Sequence, residues 1–457
     1  MGHAVVIKGV PMNEIQLQNH YSILEYKLLS GKDRISKSTF NRDKNDIFNT
    51  IIRKYNNGTY HFTPYKVINI NKNRKVYIAS IKDRIVLNIL KDHINNKYNI
   101  HYKNRLYEIK RLIEILDDKI PYTIIKLDIS DYFNSINKAL LFTKLKESGL
   151  LGNREFKLVT KSLGEYKKGV GQGLPISNPL AEIYLERLDW ELKRISQNVV
   201  FYSRYVDDII ILLNGSSTDI ELKNLKDDVE KLFKKNKLNI NEKKSMIQNL
   251  SGTTFNYLGY SITRDIYDKN RQFQLDLTIS ITQNKYNKEC KKIIKTFEDF
   301  KANGRFELFG ERLSILTHKN YILKAISKVD DDGIVRHNNK KICFGLLENY
   351  RYISDLSILE RLDKFIVKNL YEYIDDKKIR SSLFKYSYKY NFVKKHINNY
   401  ANFTVDDYID RMFELGIGFR YESDEQFEHF SDYYKTYDLM DLQRIYFKEL
   451  LLIYKGC

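Results

Sequence analysis

Cysteine, proline and long apolar runs are scarce in this chain. The three cysteines, Cys290, Cys343 and Cys457, are spaced for neither a zinc site nor a disulfide framework, so a reducing, cytoplasmic setting is expected. Five prolines, no low-complexity linker and no fixed-period repeat speak against fibrous and repeat architectures. No stretch of about 18 apolar residues occurs, so no membrane span is expected. Residues 1–12 lack the apolar core of a signal peptide.

Positive charge is abundant. Lys and Arg number 77 against 58 Asp and Glu, a formal net charge of +19. Such an excess favours a polyanion partner, nucleic acid above all. It is unevenly spread: residues 401–457 hold twelve acidic and six basic side chains, a net of −6, which leaves +25 on residues 1–400. Nucleic acid is therefore expected to track the first four hundred residues. With 457 residues, 42% hydrophobic and 30% charged, the chain reads as globular and long enough for two or three packed units.

Residues 58–80 read as two β-rich runs joined by a polar turn, a hairpin. From Ser80 to about Lys97 the spacing turns helical, with Ile85, Ile89, Leu90 and Ile94 on one face. Residues 122–129 form a short β-branched run, a buried strand, and 131–148 read as helix. A helix over 178–195 is capped by Ser177, with Pro179 in its first turn. Residues 200–213 look like two strands hinged at Asp207–Asp208, followed by an amphipathic helix over 219–236. Strands are expected over 254–262 and 272–280. Beyond 285 the pattern is mostly helical, with a loop near Asp330–Gly333.

A buried aspartate is costly unless it is paired or binds a metal. Asp128 ends an otherwise apolar strand, and Asp207 and Asp208 sit where two very apolar strands meet. Adjacent carboxylates repel, and a hard cation such as Mg²⁺ relieves that repulsion. If the two segments are neighbours in one sheet, three carboxylates can hold two ions about 3.5–4 Å apart, the arrangement for in-line phosphoryl transfer. An isolated Asp-Asp pair would read as a polar turn; the surrounding sequence argues for chemistry.

Tyr205-Val206-Asp207-Asp208 resembles the Tyr-x-Asp-Asp box of reverse transcriptases. Asp128-Ile-Ser-Asp-Tyr-Phe133 resembles their first carboxylate motif, and Gly171-Gln172-Gly173-Leu-Pro175-Ile-Ser177 their Gln-Gly motif. Leu238-Asn-Ile-Asn241-Glu-Lys-Lys244-Ser is similar to the Asn-x-x-Lys motif, and Phe255-Asn-Tyr-Leu258-Gly259-Tyr260 to the primer grip. Arg74, followed by Asp83-Arg84-Ile85-Val86, resembles the finger region of group II intron and retron-type enzymes. These six motifs cover roughly residues 58–262 in the family's order. The layout looks most like bacterial defence-associated, abortive-infection-type members.

The resemblance implies an α+β right hand. Fingers fall within 1–120 with an insertion at about 138–200. The palm, built on an antiparallel sheet, covers 121–262; a helical thumb covers 263–345 and a helical C-terminal extension 346–457. In that extension Leu346, Tyr350, Ile353, Leu356, Leu359, Leu362 and Ile366 are expected to face the core. The implied activity is RNA-directed DNA synthesis. Two Mg²⁺ ions, or Mn²⁺ in their place, would be held by Asp128, Asp207, Asp208 and the Ile129 carbonyl. Phe133 would be the steric gate against a ribose 2′-hydroxyl. Gln172 and Gly173 would line the nucleotide pocket, and Lys66 and Arg74 would neutralise the triphosphate. Lys244, or Lys243 in the adjacent register, would donate a proton to pyrophosphate. Tyr257, Leu258 and Gly259 would support the primer end. Implied partners are dNTPs, an RNA template, expected to be non-coding, the DNA product, and a further protein or a second copy.

The chain departs from the family pattern at Gly171, where proline is usual. It also lacks the Val-Thr-Gly and Asn-Ala-x-x-His signatures of typical retron enzymes, a zinc-bearing nuclease tail and an RNase H carboxylate set. An RNA-dependent RNA polymerase is disfavoured, because Phe133 stands where that class carries a second aspartate. Untemplated or protein-primed synthesis at the same site, and a non-catalytic RNA-binding scaffold, remain as alternatives.

Overall fold

The computed structural model describes residues 14, 17, 37–71, 74–164, 168–269, 272–329, 335–418, 424–455 and 457. The chain divides into two compact units, residues 1–251 with 327–336, and residues 252–326 with 337–457. Among the described residues, no helix is long and apolar enough to cross a membrane. The architecture is mixed α+β, helices with largely antiparallel sheets. The expected loop at 330–333 lies outside the described residues.

In the first unit, β1 (Lys66–Asn71) and β2 (Arg74–Ile78) form the antiparallel hairpin. Helix Ile81–Lys97 follows, capped by Ser80, whose hydroxyl oxygen accepts the Asp83 N–H. Its apolar face, Ile85, Ile89, Leu90 and Ile94, is buried. The buried Asp83 carboxylate accepts from Tyr60, Thr63 and Ser80, and so ties the strap before β1 to this helix.

The central sheet contains β3 (Tyr122–Asp128), β4 (Val199–Tyr205), β5 (Asp208–Asn214) and β6 (Met246–Asn249), in the order β4-β5-β3-β6 with antiparallel pairs throughout. Every residue of β3 is buried, which is why its sequence is β-branched and near-continuously apolar. Its two interior polar residues have partners. Thr123 bonds Gly215, Ser217 and Asn249, and Lys126 donates to the Lys244 carbonyl at 2.7 Å.

The helix expected over 131–148 is two helices, Tyr132–Ser135 and Lys138–Ser148. Asn137 breaks the run: its extended backbone and its side chain, which accepts the Leu140 N–H, start a new helix. Helix Ser177–Leu192 forms as expected, but Ser177 is its first residue rather than its cap. The Ser177 hydroxyl points backward and donates to the carbonyls of Val170 and Gly171.

The second unit opens with an antiparallel meander, β7 (Thr253–Tyr257), β8 (Tyr260–Lys269) and β9 (Gln272–Ile281). Helices Gln283–Asn303 and Phe306–Thr317 follow. The stretch expected to be helical beyond 285 then contains two more strands, β10 (Lys319–Val329) and β11 (Val335–Phe344), which belong to this unit except for residues 327–329 and 335–336, and β12 (Ile397–Asn399) pairs in parallel with the start of β10. Ile322 and Phe344 pack on the second unit's core, a tertiary contact that local periodicity does not register. Tyr350, Ile353, Leu359, Leu362 and Ile366 are buried, whereas Leu346 and Leu356 are half-buried. Buried Glu311 is the polar hub, accepting from Tyr400, Tyr446 and Arg411.

Candidate active site

The antiparallel register makes Asp128 and Asp208 direct cross-strand partners at the end of the central sheet. Asp207 completes the turn between β4 and β5, its carbonyl accepting the Ile129 N–H at 3.3 Å. Val206, the first central residue of that turn, has φ +61. A β-branched residue there is strained, which is characteristic of functional turns.

A turn over 241–245 interrupts the pairing of the edge segment with β3 and forms a collar on Asp128. Asn241 donates its backbone N–H to the Asp128 carbonyl at 2.8 Å and its side-chain amide to Oδ1 at 2.9 Å. The Asp128 N–H donates to the Ser245 hydroxyl at 3.0 Å. Lys244 Nζ lies 3.3 and 3.0 Å from the two carboxylate oxygens; of Lys243 and Lys244, it is Lys244 that reaches Asp128.

The electrostatics follow from the geometry. Burial, then the Asp207 charge, pushes the Asp208 carboxyl up to about 6, with Asp128 adding and Lys126 and Lys244 opposing. The hydrogen bond to Asp128 raises Lys244 above the ordinary lysine range, and burial pulls Lys126 below it. Negative charge is thus concentrated beyond what the two lysines neutralise. An all-oxygen carboxylate set of this kind suits a hard divalent cation. Among the described residues, however, no group of three or more His, Cys, Asp or Glu converges as a preformed metal cage. Lys244 and Asn241 occupy the Asp128 carboxylate instead.

A second group of expected residues is assembled around β2. The Gln172 carbonyl accepts the Tyr77 N–H at 2.8 Å. Gly173, at φ +103, rests against the same strand: a Cβ there would lie 2.7 Å from both the Tyr77 oxygen and Val76 Cγ1. Gly171 has φ +66, a conformation closed to the proline usual at that position. Phe133 is half-buried against Tyr132, ring centroids 4.8 Å apart. Its carbonyl accepts the Val170 N–H at 3.0 Å, and a Cβ on Gly169 would run into that same carbonyl.

Lys66 is exposed on β1 opposite Ile78. The Arg74 backbone opens β2; its side chain lies outside the described residues. In the second unit Tyr257 is buried at the end of β7. Leu258 and Gly259, at φ +47 and +84, make the two-residue turn to β8. Tyr350 packs on that turn, its hydroxyl 2.5 Å from where a Gly259 Cβ would lie.

Sequence reasoning gave no role to Lys126 and Arg204, and quoted Asn241 and Ser245 only as motif letters. A lysine or arginine inside an otherwise apolar strand was the available signal for Lys126 and Arg204, since such a residue must find buried partners.

Residues 52–262 match the family model described as reverse transcriptase (RNA-dependent DNA polymerase). That segment is distantly homologous to reverse transcriptases, and the homology implies nucleotidyl-transfer chemistry in general. Among solved structures, apo telomerase from Candida tropicalis is 14% identical, with 90% of this chain and 72% of that one covered at a TM-score of 0.37. A form of it truncated from the C-terminal domain is 16% identical over 42% and 44%, at 0.29. Telomerase from Candida albicans, in complex with a fragment of telomeric RNA, is 12% identical over 81% and 53%, at 0.32. The chain thus covers about half the length of the latter two structures. No curated protein sequence matches the chain.

Proposed function

We infer that this protein is an RNA-directed DNA polymerase that extends a 3′-hydroxyl with dNTPs at the Asp128–Asp207–Asp208 site. The observation behind the reading is the register that sets Asp128 opposite Asp208, with Asp207 in the adjoining turn and Lys244 on Asp128. Asp128, Asp207, Asp208 and the Ile129 carbonyl would hold Mg²⁺. When bound, the metal would supply activation of the attacking hydroxyl and charge neutralisation at the leaving pyrophosphate. The chain's own residues do the rest. Gln172 and Gly173, fixed on β2, border the nucleotide pocket. The Phe133 ring excludes a 2′-hydroxyl. Lys66 and Arg74 attract the triphosphate, and Tyr257, Leu258 and Gly259 support the primer end. Lys244 holds a proton at Nζ that it can deliver to the leaving group. The basic first four hundred residues attract the template. A non-coding RNA template and a role in antiphage defence complete the proposal.

The test is an extension assay on purified protein with its co-purifying nucleic acid, Mg²⁺ and labelled dNTPs or rNTPs, with RNase-treated and Asp207→Ala controls. Incorporation of dNTPs that needs both RNA and Asp207 is expected. Incorporation that needs Asp207 but not RNA would move the reading to untemplated or protein-primed synthesis. None under any condition would leave a non-catalytic RNA-binding scaffold.

A further inference from the structure

Arg204 lies in β4, immediately before the Tyr205–Asp208 segment, and is buried. Its guanidinium uses each of its five N–H donors. Nε and Nη2 grip the two oxygens of Asp189, both at 2.7 Å. Nη1 and Nη2 grip those of Glu182 at 3.0 and 2.7 Å. The remaining Nη1 donor goes to the Val206 carbonyl at 3.1 Å. Glu182 and Asp189 are seven residues apart on helix Ser177–Leu192, two turns and therefore on one face. The start of that helix is tied by the Ser177 hydroxyl to the carbonyls on either side of the bond entering Gly171. Tyr202 adds a hydrogen bond to Asp189.

The geometry points to Arg204 as a positioning residue that locks the peptide between Val206 and Asp207, and so aims the Asp207 carboxylate. This rests on the polymerase reading. The Val206 carbonyl belongs to the same rigid peptide plane as the Asp207 N–H, so fixing one fixes the other. Val206 holds a positive φ that a β-branched residue leaves whenever it can. Rotation about the Val206 N–Cα bond would relieve the strain, but it would swing the Val206 carbonyl off Arg204 and turn Asp207 away. The Arg204 donor opposes that rotation at Val206, while the Ile129 N–H holds the Asp207 carbonyl on the far side. With Asp189 gripped side-on and Glu182 end-on, each through two bonds, the guanidinium cannot swing. The Gln172–Gly173 loop and the Asp207 turn therefore share one support.

The test uses the full chain with Arg204→Lys, which keeps the charge but not the fork. A triple variant that replaces all three charged groups by amides, Arg204→Gln with Glu182→Gln and Asp189→Asn, avoids leaving half-buried carboxylates unpaired if the single change misfolds. Val206→Gly is then added to each. Hydrogen exchange read by mass spectrometry should accelerate about tenfold or more at 205–208 and stay unchanged in helix Ser177–Leu192. Nucleotide incorporation should lose about 10²-fold in kcat, the scale of an ångström-sized misplacement, with dNTP KM within about twofold. Val206→Gly should recover part of that loss, because glycine adopts the positive φ freely. Wild-type exchange at 205–208 in Arg204→Lys, or a further loss on adding Val206→Gly, would overturn the assignment. The exchange measurement needs no activity. A wild-type protein that incorporates nothing would therefore refute the polymerase reading, while exchange still decides on Arg204.

Discussion

Replacing Gly173 with alanine tests whether the Gln172–Gly173 loop must be seated on β2. The new methyl carbon would fall 2.7 Å from the Tyr77 carbonyl oxygen and from Val76 Cγ1. The oxygen is backbone and cannot step aside cheaply. An L residue held at φ +103 costs about 1–3 kcal/mol. The clash itself costs about 1–3 kcal/mol more, whereas giving up the bond from the Tyr77 N–H to the Gln172 carbonyl costs about 1 kcal/mol and opposes unseating. Unseating the loop avoids both the clash and the strain, so docking is weakened by about 1–5 kcal/mol net, about fivefold or more in population. Only the docked fraction binds nucleotide productively, and the apparent dNTP affinity falls by that fraction. Steady-state incorporation should therefore show dNTP KM raised at least about fivefold with kcat at saturation little changed. Gly58→Ala is the control: it also has φ +69 but nothing within 4 Å of its Cβ, so it should leave KM alone. A Gly173→Ala protein with wild-type KM would refute the claim that this docking shapes the nucleotide site.

Two further outcomes follow from the first unit. The buried Glu155 carboxylate is opposed by burial, yet hydrogen bonds from His93, Lys97 and the Gly152 N–H hold it down at about 2. Its folded value lies below the unfolded one of about 4.3, so its contribution is complete above that pH and lost as pH falls toward 2. Thermal denaturation between pH 5 and 2 should show a loss on the order of 3 kcal/mol that is absent in Glu155→Gln; identical profiles would refute the role. Lys244→Gln should lower kcat by about 10²-fold, the range of a general acid, with little change in Tm because the lysine is itself mostly exposed. An unchanged kcat would remove Lys244 from the chemistry.

Much of the candidate site was legible in the residues because its signals are local. A carboxylate at the end of a β-branched run, a pair of aspartates between two apolar runs and a glycine-rich stretch before a helix each stand out in a few positions. The hairpin of β1 and β2 was legible from two β-rich runs about a polar turn, helix Ile81–Lys97 from its 3.6-residue apolar spacing, and the central strands from short, near-continuous apolar runs. Strands β10 and β11 were not: Ile322, Ala325, Ile326 and Val329 of β10 repeat at helical spacing, β11 is mostly polar, and long-range pairing decides their state.

The sequence by itself determined which side chains are available and how the elements alternate, since both depend on residues close along the chain. Tertiary structure alone decided that Asp128 faces Asp208 across eighty positions, that Lys244 rather than Lys243 meets that carboxylate, and that Gln172–Gly173 rests on β2. It alone joined Arg204 to Glu182, Asp189 and the Val206 carbonyl. Strand register and side-chain forks are settled by long-range pairing and by the need of every buried polar group for a partner, and neither has a short-range pattern to read.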